Sequence, residues 1–181
     1  MTAPLFAPSP LPSVQHRPVE VRRLLYAIQK LRPEQLGNFV NGASLALPQV
    51  LAVGGARQLG PVAILYHAPV TDTSDGPVEV CVPFEGELEI PDGLSERQEL
   101  SHREAYLPLT KTQFGDGTLF NSARRELEAY AQANGDLIGP LRQIDFGTWA
   151  ESGPDDIVGE LALPLRWLNQ MRPETRGRLF P

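Results

Sequence analysis

The stretch Ile157-Val-Gly-Glu-Leu-Ala-Leu-Pro-Leu165 decides how the chain is read. As an extended strand it places Ile157, Leu161, Leu163 and Leu165 on one face and Val158, Glu160 and Ala162 on the other. One carboxylate, Glu160, interrupts an otherwise apolar run. An ionised carboxylate removed from water needs a partner, or its protonation shifts. Two kinds of partner fit: an arginine of the chain, with Arg142 and Arg22 the candidates, or a bound molecule that carries positive charge. Ala162 beside Glu160 is small and leaves room for the second kind.

An earlier stretch, Pro77-Val-Glu-Val-Cys-Val-Pro-Phe84, repeats the design. Val78, Val80 and Val82 alternate with Glu79 and Cys81, and Glu79 precedes Pro83 by the spacing at which Glu160 precedes Pro164. Gly60-Pro61 opens the hairpin that closes on Val80–Pro83, and Gly139-Pro140 opens the one that closes on Leu161–Pro164. The order strand, helix, strand, strand occurs twice, which implies a pseudo-two-fold axis. The expected fold is α+β: duplicated βαββ units form a mainly antiparallel sheet, with two helices on one face and a ligand cleft on the other.

Outward from these strands, residues 1–16 read as a proline-rich tail, 17–165 as the folded domain (repeat one 17–84, repeat two 100–165), and 166–181 as a C-terminal tail. Arg17 to Ile28 reads as one strand. Leu36, Phe39, Val40, Ala43 and Leu47 recur at helical spacing after Pro33, in a helix expected to break or kink at Pro48 and to stop at Gly54-Gly55. Glu85 to Glu99 reads as acidic turns. Leu100 to Thr110 reads as a strand with His102, Glu104 and Tyr106 on one face, followed by a loop at Phe114–Gly117. Thr118 is placed to cap a second helix that stops at Asn134-Gly135, and Gly139 to Trp149 reads as a strand.

Bulk properties exclude several classes. A formal charge of -6 leaves no basic stripe for direct nucleic-acid binding and favours cationic or neutral partners. One cysteine, Cys81, excludes an internal disulfide or a cysteine-rich zinc site and fits a reducing, cytoplasmic setting. His67 and His102 stand alone, so no metal or cofactor is expected. No apolar run approaches a membrane span, and the first residues lack the form of a secretory signal.

The series Gly-Pro…Tyr-His, Pro-Val-Glu-Val-Cys-Val-Pro, Gly-Pro…Phe and Val-Gly-Glu-Leu-Ala-Leu-Pro resembles the gyrase-inhibitor-like (GyrI-like) effector-binding domains. These accompany MerR- and AraC-type multidrug-responsive transcription activators and also occur alone. The resemblance spans roughly residues 17–165. It implies two βαββ units around an aromatic-lined cleft in which Glu160 faces a bound cation. The Tyr-His pair carries Tyr66 into that cleft; Tyr106 and Trp149 lie in strands of the right kind. Glu79 is the pseudo-symmetric candidate, although its hairpin is read as facing solvent. Tyr26, Phe39, Phe120 and Phe146 are read as core. No DNA-binding segment precedes the domain, so a stand-alone small-molecule sensor or sequestering protein for an aromatic, cationic compound is expected. The resemblance leaves two alternatives: a hydrolase of cyclopropane-bearing or other electrophilic compounds using the same cleft, and a topoisomerase-binding inhibitor protein.

Overall fold

The computed structural model describes residues 13–71 and 74–167. In chain order the elements are β1 (Gln15–Val19), β2 (Arg22–Leu31), α1 (Pro33–Gly54), β3 (Arg57–Gln58), β4 (Val62–Tyr66), β5 (Gly76–Glu85), β6 (Ser95–Glu99), β7 (His102–Thr110), α2 (Lys111–Gly115), α3 (Gly117–Asn134), β8 (Gly135–Leu137), β9 (Leu141–Asp145) and β10 (Ile157–Trp167). All strands join one antiparallel sheet of order β1-β7-β10-β9-β4-β5-β2-β6, with β3 on β5 and β8 on β10. The order is the same read from either end, once each strand is replaced by its counterpart in the other repeat. The duplicated architecture is therefore as expected, and the axis passes between β4 and β9, where Ile64 lies opposite Gln143.

The repeats exchange their first strands. Arg17 to Ile28 is not one strand: it breaks at the exposed pair Glu20-Val21. β1 then pairs with β7 of the second repeat, Arg17 opposite Glu104. β6, in the segment expected to be turns, pairs with β2 of the first repeat. Pro18 is tolerated because β1 is an edge strand, where a missing N–H costs no inner ladder bond. The expected Gly139–Trp149 strand ends at Asp145, and Trp149 lies in the turn beyond it. The sheet also reaches past both expected boundaries, to Gln15 and Trp167.

Local chemistry accounts for the helices. The Arg32 N–H donates to Gln35 Oε1 at 3.0 Å and Pro33 occupies the first turn of α1. Gly55, at φ 75°, ends it. The helix continues through Pro48 instead of breaking there. α2 forms where a loop was expected, because Thr110 and Gln113 make a reciprocal capping box. Asp116, rather than Thr118, caps α3 by accepting from the Thr118 and Leu119 N–H groups at 2.8 and 3.0 Å. By length and composition α1 is apolar enough to cross a bilayer, contrary to the expectation that no run approaches that length. Here its Leu47 and Leu51 are buried against the sheet.

Two cores lie on the helix side. Leu47 and Leu51 pack with Val78, Val80, Val82 and Phe84; Ala123, Leu127 and Ala131 pack with Leu107, Leu161, Leu163 and Leu165. Parity therefore turns Glu79, Cys81 and Glu160 to the opposite face, as expected. The Gly-Pro signatures also gain a physical cause. A Cβ on Gly60 would lie 3.1 Å from Pro83 Cγ, and one on Gly139 would lie 2.8 Å from Pro164 Cγ. The preceding residues lock the same corners: Leu59 N–H donates to the Pro83 carbonyl at 2.8 Å and Ile138 N–H to the Pro164 carbonyl at 3.1 Å.

Candidate functional site

The face away from the helices is built from alternate residues of the central strands. Leu24, Leu65 and Cys81 form its small apolar cluster, with Tyr26 and Ala63 packed against it. Between the halves these strands leave a cavity of about 190 Å³. Ala63, Pro83, Ile144 and Phe146 supply apolar walls; Arg17, Arg22, Glu99, Arg142 and Glu160 supply charge. Burial first, then the nearby Glu79 charge, pushes the Cys81 thiol up to about 12, so it stays protonated.

An alternating chain of ion pairs crosses this face. Arg22 Nε donates to Glu99 Oε2 at 2.6 Å, and Arg142 Nη2 donates to Glu99 Oε1 at 2.6 Å. Arg142 Nη1 lies 3.6 Å from Glu104 Oε2. Arg17 Nε and Nη2 donate to Glu104 Oε1 at 2.8 and 2.6 Å, and Nη2 also donates to Glu160 Oε1. The run is thus Arg22–Glu99–Arg142–Glu104–Arg17–Glu160: three guanidinia for three carboxylates, with Glu160 at the end.

Position in this run sets each carboxyl's acidity. Burial alone would raise Glu104; His102, Arg142 and Arg17 outweigh it and hold Glu104 at about 2. His102 Nε2 lies 3.7 Å away, beyond hydrogen-bonding length, so the two guanidinia are the firmer cause. Burial likewise opposes Glu99, but Arg142 and Arg22 keep it below the usual range. Glu160 goes the other way. Its burial raises it, Arg17 opposes the rise, and the Glu104 charge adds to it. One guanidinium shared with Glu104 does not fully compensate Glu160.

The pseudo-symmetry extends to these side chains. The Arg17 guanidinium lies over the Tyr106 ring at 4.4 Å, and Arg97, its counterpart on β6, lies over Tyr26 at 5.6 Å. Arg97 Nη2 donates to Glu79 Oε1 at 2.6 Å, as Arg17 does to Glu160. The halves differ in their further partners: His67 Nε2 lies 2.9 Å from Glu79 Oε2, so Glu79 has two partners, whereas Arg17 is shared between Glu160 and Glu104.

Of the residues singled out from sequence, Glu160 lines the cavity, and Tyr106 and Glu79 share its face. The intramolecular partner of Glu160 is Arg17, not Arg142 or Arg22. Glu79 is 3% exposed and does not face solvent. Tyr66 does not lie in the cleft: it packs on the helix side against the first core, donates to Gln143 Oε1 at 3.1 Å, and burial raises its hydroxyl. Trp149 is also displaced, 43% exposed and packed edge-on against Phe114 at 6.1 Å. Phe146, read as core, lines the cavity mouth instead. Arg17 was not legible as a site residue, because its strand pairs across the repeats.

A larger concavity lies elsewhere. A groove of about 840 Å³ runs between the second half of α1 and residues 88–92. It is lined by residues such as Val53, 90% exposed, and has no buried charge. Two smaller cavities adjoin the ion-pair chain: the one of about 190 Å³ that Glu160 lines, and one of about 380 Å³ lined by His67, Arg97, Glu99, His102 and Arg142.

Comparison with known proteins supports the fold. No protein-family model matches the sequence, and no curated protein matches it significantly. Among solved structures, the C-terminal domain of EcmrR superposes with a TM-score of 0.67 at 12% identity, over 86% of this chain and 98% of that one. EcmrR in its complex with DNA gives 0.70 at 10% identity, over 86% of this chain and 58% of that one, so the chain spans just over half of that protein. A hydrolase from Listeria innocua gives 0.56 at 10% identity, over 88% of this chain and 94% of that one. The chain shares with them the GyrI-like fold expected from its sequence.

Proposed function

We propose that the protein binds a small, partly aromatic organic cation between its two halves, with Glu160 as counter-charge and Tyr106 as a stacking surface. The observation that carries this reading is the state of Glu160: a carboxylate 3% exposed, beside a cavity with apolar walls, whose carboxyl is raised despite its contact with Arg17. A bound cation relieves that desolvation, and a flat one adds cation–π contact worth about 0.5–2 kcal/mol. The shared fold with the C-terminal domain of EcmrR supports small-molecule binding in general.

Rhodamine 6G is a suitable probe. Titration followed by fluorescence is expected to show Glu160→Gln binding at least about tenfold more weakly than wild type, a loss of about 1.4 kcal/mol. Wild-type affinity should also fall as the pH drops through the raised Glu160 carboxyl, because protonation removes the counter-charge. Equal affinity of the two proteins would exclude Glu160 as counter-charge.

One observation favours a hydrolytic reading as the second choice. A carboxyl raised by burial is suited to act as a general acid. Among the described residues, however, the cavity lining offers it no hydroxyl nucleophile, and its thiol, Cys81, is held protonated.

A further inference from the structure

We infer that Arg17 is a displaceable internal stand-in for the ligand: its guanidinium occupies the place between Tyr106 and Glu160 that an incoming cation takes. The inference rests on the proposed cation site and adds how that site is gated.

Geometry gives the first argument. The guanidinium is a planar cation, stacked 4.4 Å from the Tyr106 ring centroid and paired with Glu160. These are the contacts a flat organic cation would make with the same two residues.

Charge balance gives the second. The run already sets three guanidinia against three buried carboxylates. A fourth cation added to it leaves one positive charge uncompensated in a poorly solvated setting, which is unfavourable. Entry is balanced only if one arginine leaves. Arg142 is held between Glu99 and Glu104 with its side chain 8% exposed, whereas the Arg17 side chain is 37% exposed. Arg17 also stands on β1, which among the described strands pairs with β7 alone, and its side chain is partly open to solvent. Glu104 keeps Arg142 and His102 nearby after its departure.

Space gives the third. A cavity of about 190 Å³ is below the roughly 300 Å³ at which drug-sized sites begin. Arg17 forms part of its wall and covers Tyr106. Withdrawal of that side chain joins the cavity to the tyrosine face and enlarges the site on the side where the ligand stacks.

Comparison of the halves shows why the site opens at Glu160 and not at Glu79. Arg97 holds the equivalent place over Tyr26, but Glu79 is also met by His67, while among the described residues Arg17 is the cation paired with Glu160. Displacement at Glu79 requires two groups to move.

The test is a rhodamine 6G titration of wild type, Arg17→Gln, Arg17→Lys, Glu160→Gln and Arg57→Gln. Arg57, exposed and paired with Glu85 away from the cleft, controls for the loss of one positive charge. Removing the internal competitor should tighten binding by about fivefold to tenfold in Arg17→Gln. Arg57→Gln should stay within about twofold of wild type. Arg17→Lys keeps the charge but loses the planar fork, and should bind a few-fold more tightly than wild type. It supplies the answer where the neutral variant fails to fold. If the Arg17 variants that fold bind no better than wild type while Glu160→Gln still binds more weakly, the stand-in role is overturned and the cation site survives. If Glu160→Gln matches wild type, or neither wild type nor the Arg17 variants bind the dye, the cation site itself is refuted and the stand-in with it.

Discussion

Arg142→Met is expected to destabilise the protein by about 3–5 kcal/mol, the range for removing one partner from a buried ion pair. Arg142 is 6% exposed and is the only residue that joins Glu99 to Glu104 among the ion pairs described. Methionine fills similar volume, so packing loss is small; the cost is electrostatic. Glu104 would keep Arg17 and Glu99 would keep Arg22, but each carboxylate would lose the guanidinium that reaches it from within the sheet. Against a total stability of about 5–15 kcal/mol for an ordinary domain, this brings the fold near its limit. Urea unfolding measures it. The acid side provides a check of sign: a lowered Glu104 carboxyl stabilises the fold above the unfolded-state value, and that stabilisation is lost as pH falls toward about 2. In Arg142→Met the acid-dependent loss should be smaller and complete at higher pH. A change below about 1 kcal/mol would mean that water, not Arg142, compensates the two glutamates.

Gly159→Ala should be the most damaging of the small substitutions near the site. A Cβ there would run into the Ile144 carbonyl oxygen and lie 2.7 Å from Phe114 Cε2. The obstacle on one side is backbone of the neighbouring strand, which cannot rotate away. The register of β10 against β7 also shifts between Ile157 and Gly159, so the residue sits at a bulge directly before Glu160. Overpacking of this kind costs about 1–3 kcal/mol. Because β10 and β9 must separate to admit the methyl, dye binding should weaken as well as stability. A variant with wild-type melting temperature and dye affinity would contradict the tight approach of β9 to β10.

The parts of this account legible in the sequence were those governed by short-range rules. Parity on two apolar strands turned Glu79 and Glu160 away from the helices, and the repeated Gly-Pro and Glu-x-x-x-Pro spacings revealed the duplication. The structure adds that glycine is needed opposite each proline. Long-range exchange was not legible. The apolar set Val19, Val21 and Leu25, interrupted at Arg23, spans the break at Glu20-Val21, and no turn signal there announces that β1 leaves for the other repeat. Arg17 was missed for that reason: its partners, Glu104 and Glu160, belong to strands far along the chain. Tyr66 was carried by resemblance, whereas its parity with Ile64, a residue of the first core, turns it toward the helices. Trp149 was misplaced because the strand was extended past Gly147, whose φ of 72° marks a turn.

The most direct measurement is a crystal structure of the protein with rhodamine 6G bound. The dye is expected between the two halves, its ring system against Tyr106, Glu160 as the nearest carboxylate and Arg17 turned away from both. Dye seated in the groove between α1 and residues 88–92, with Arg17 still paired to Glu160, would contradict it.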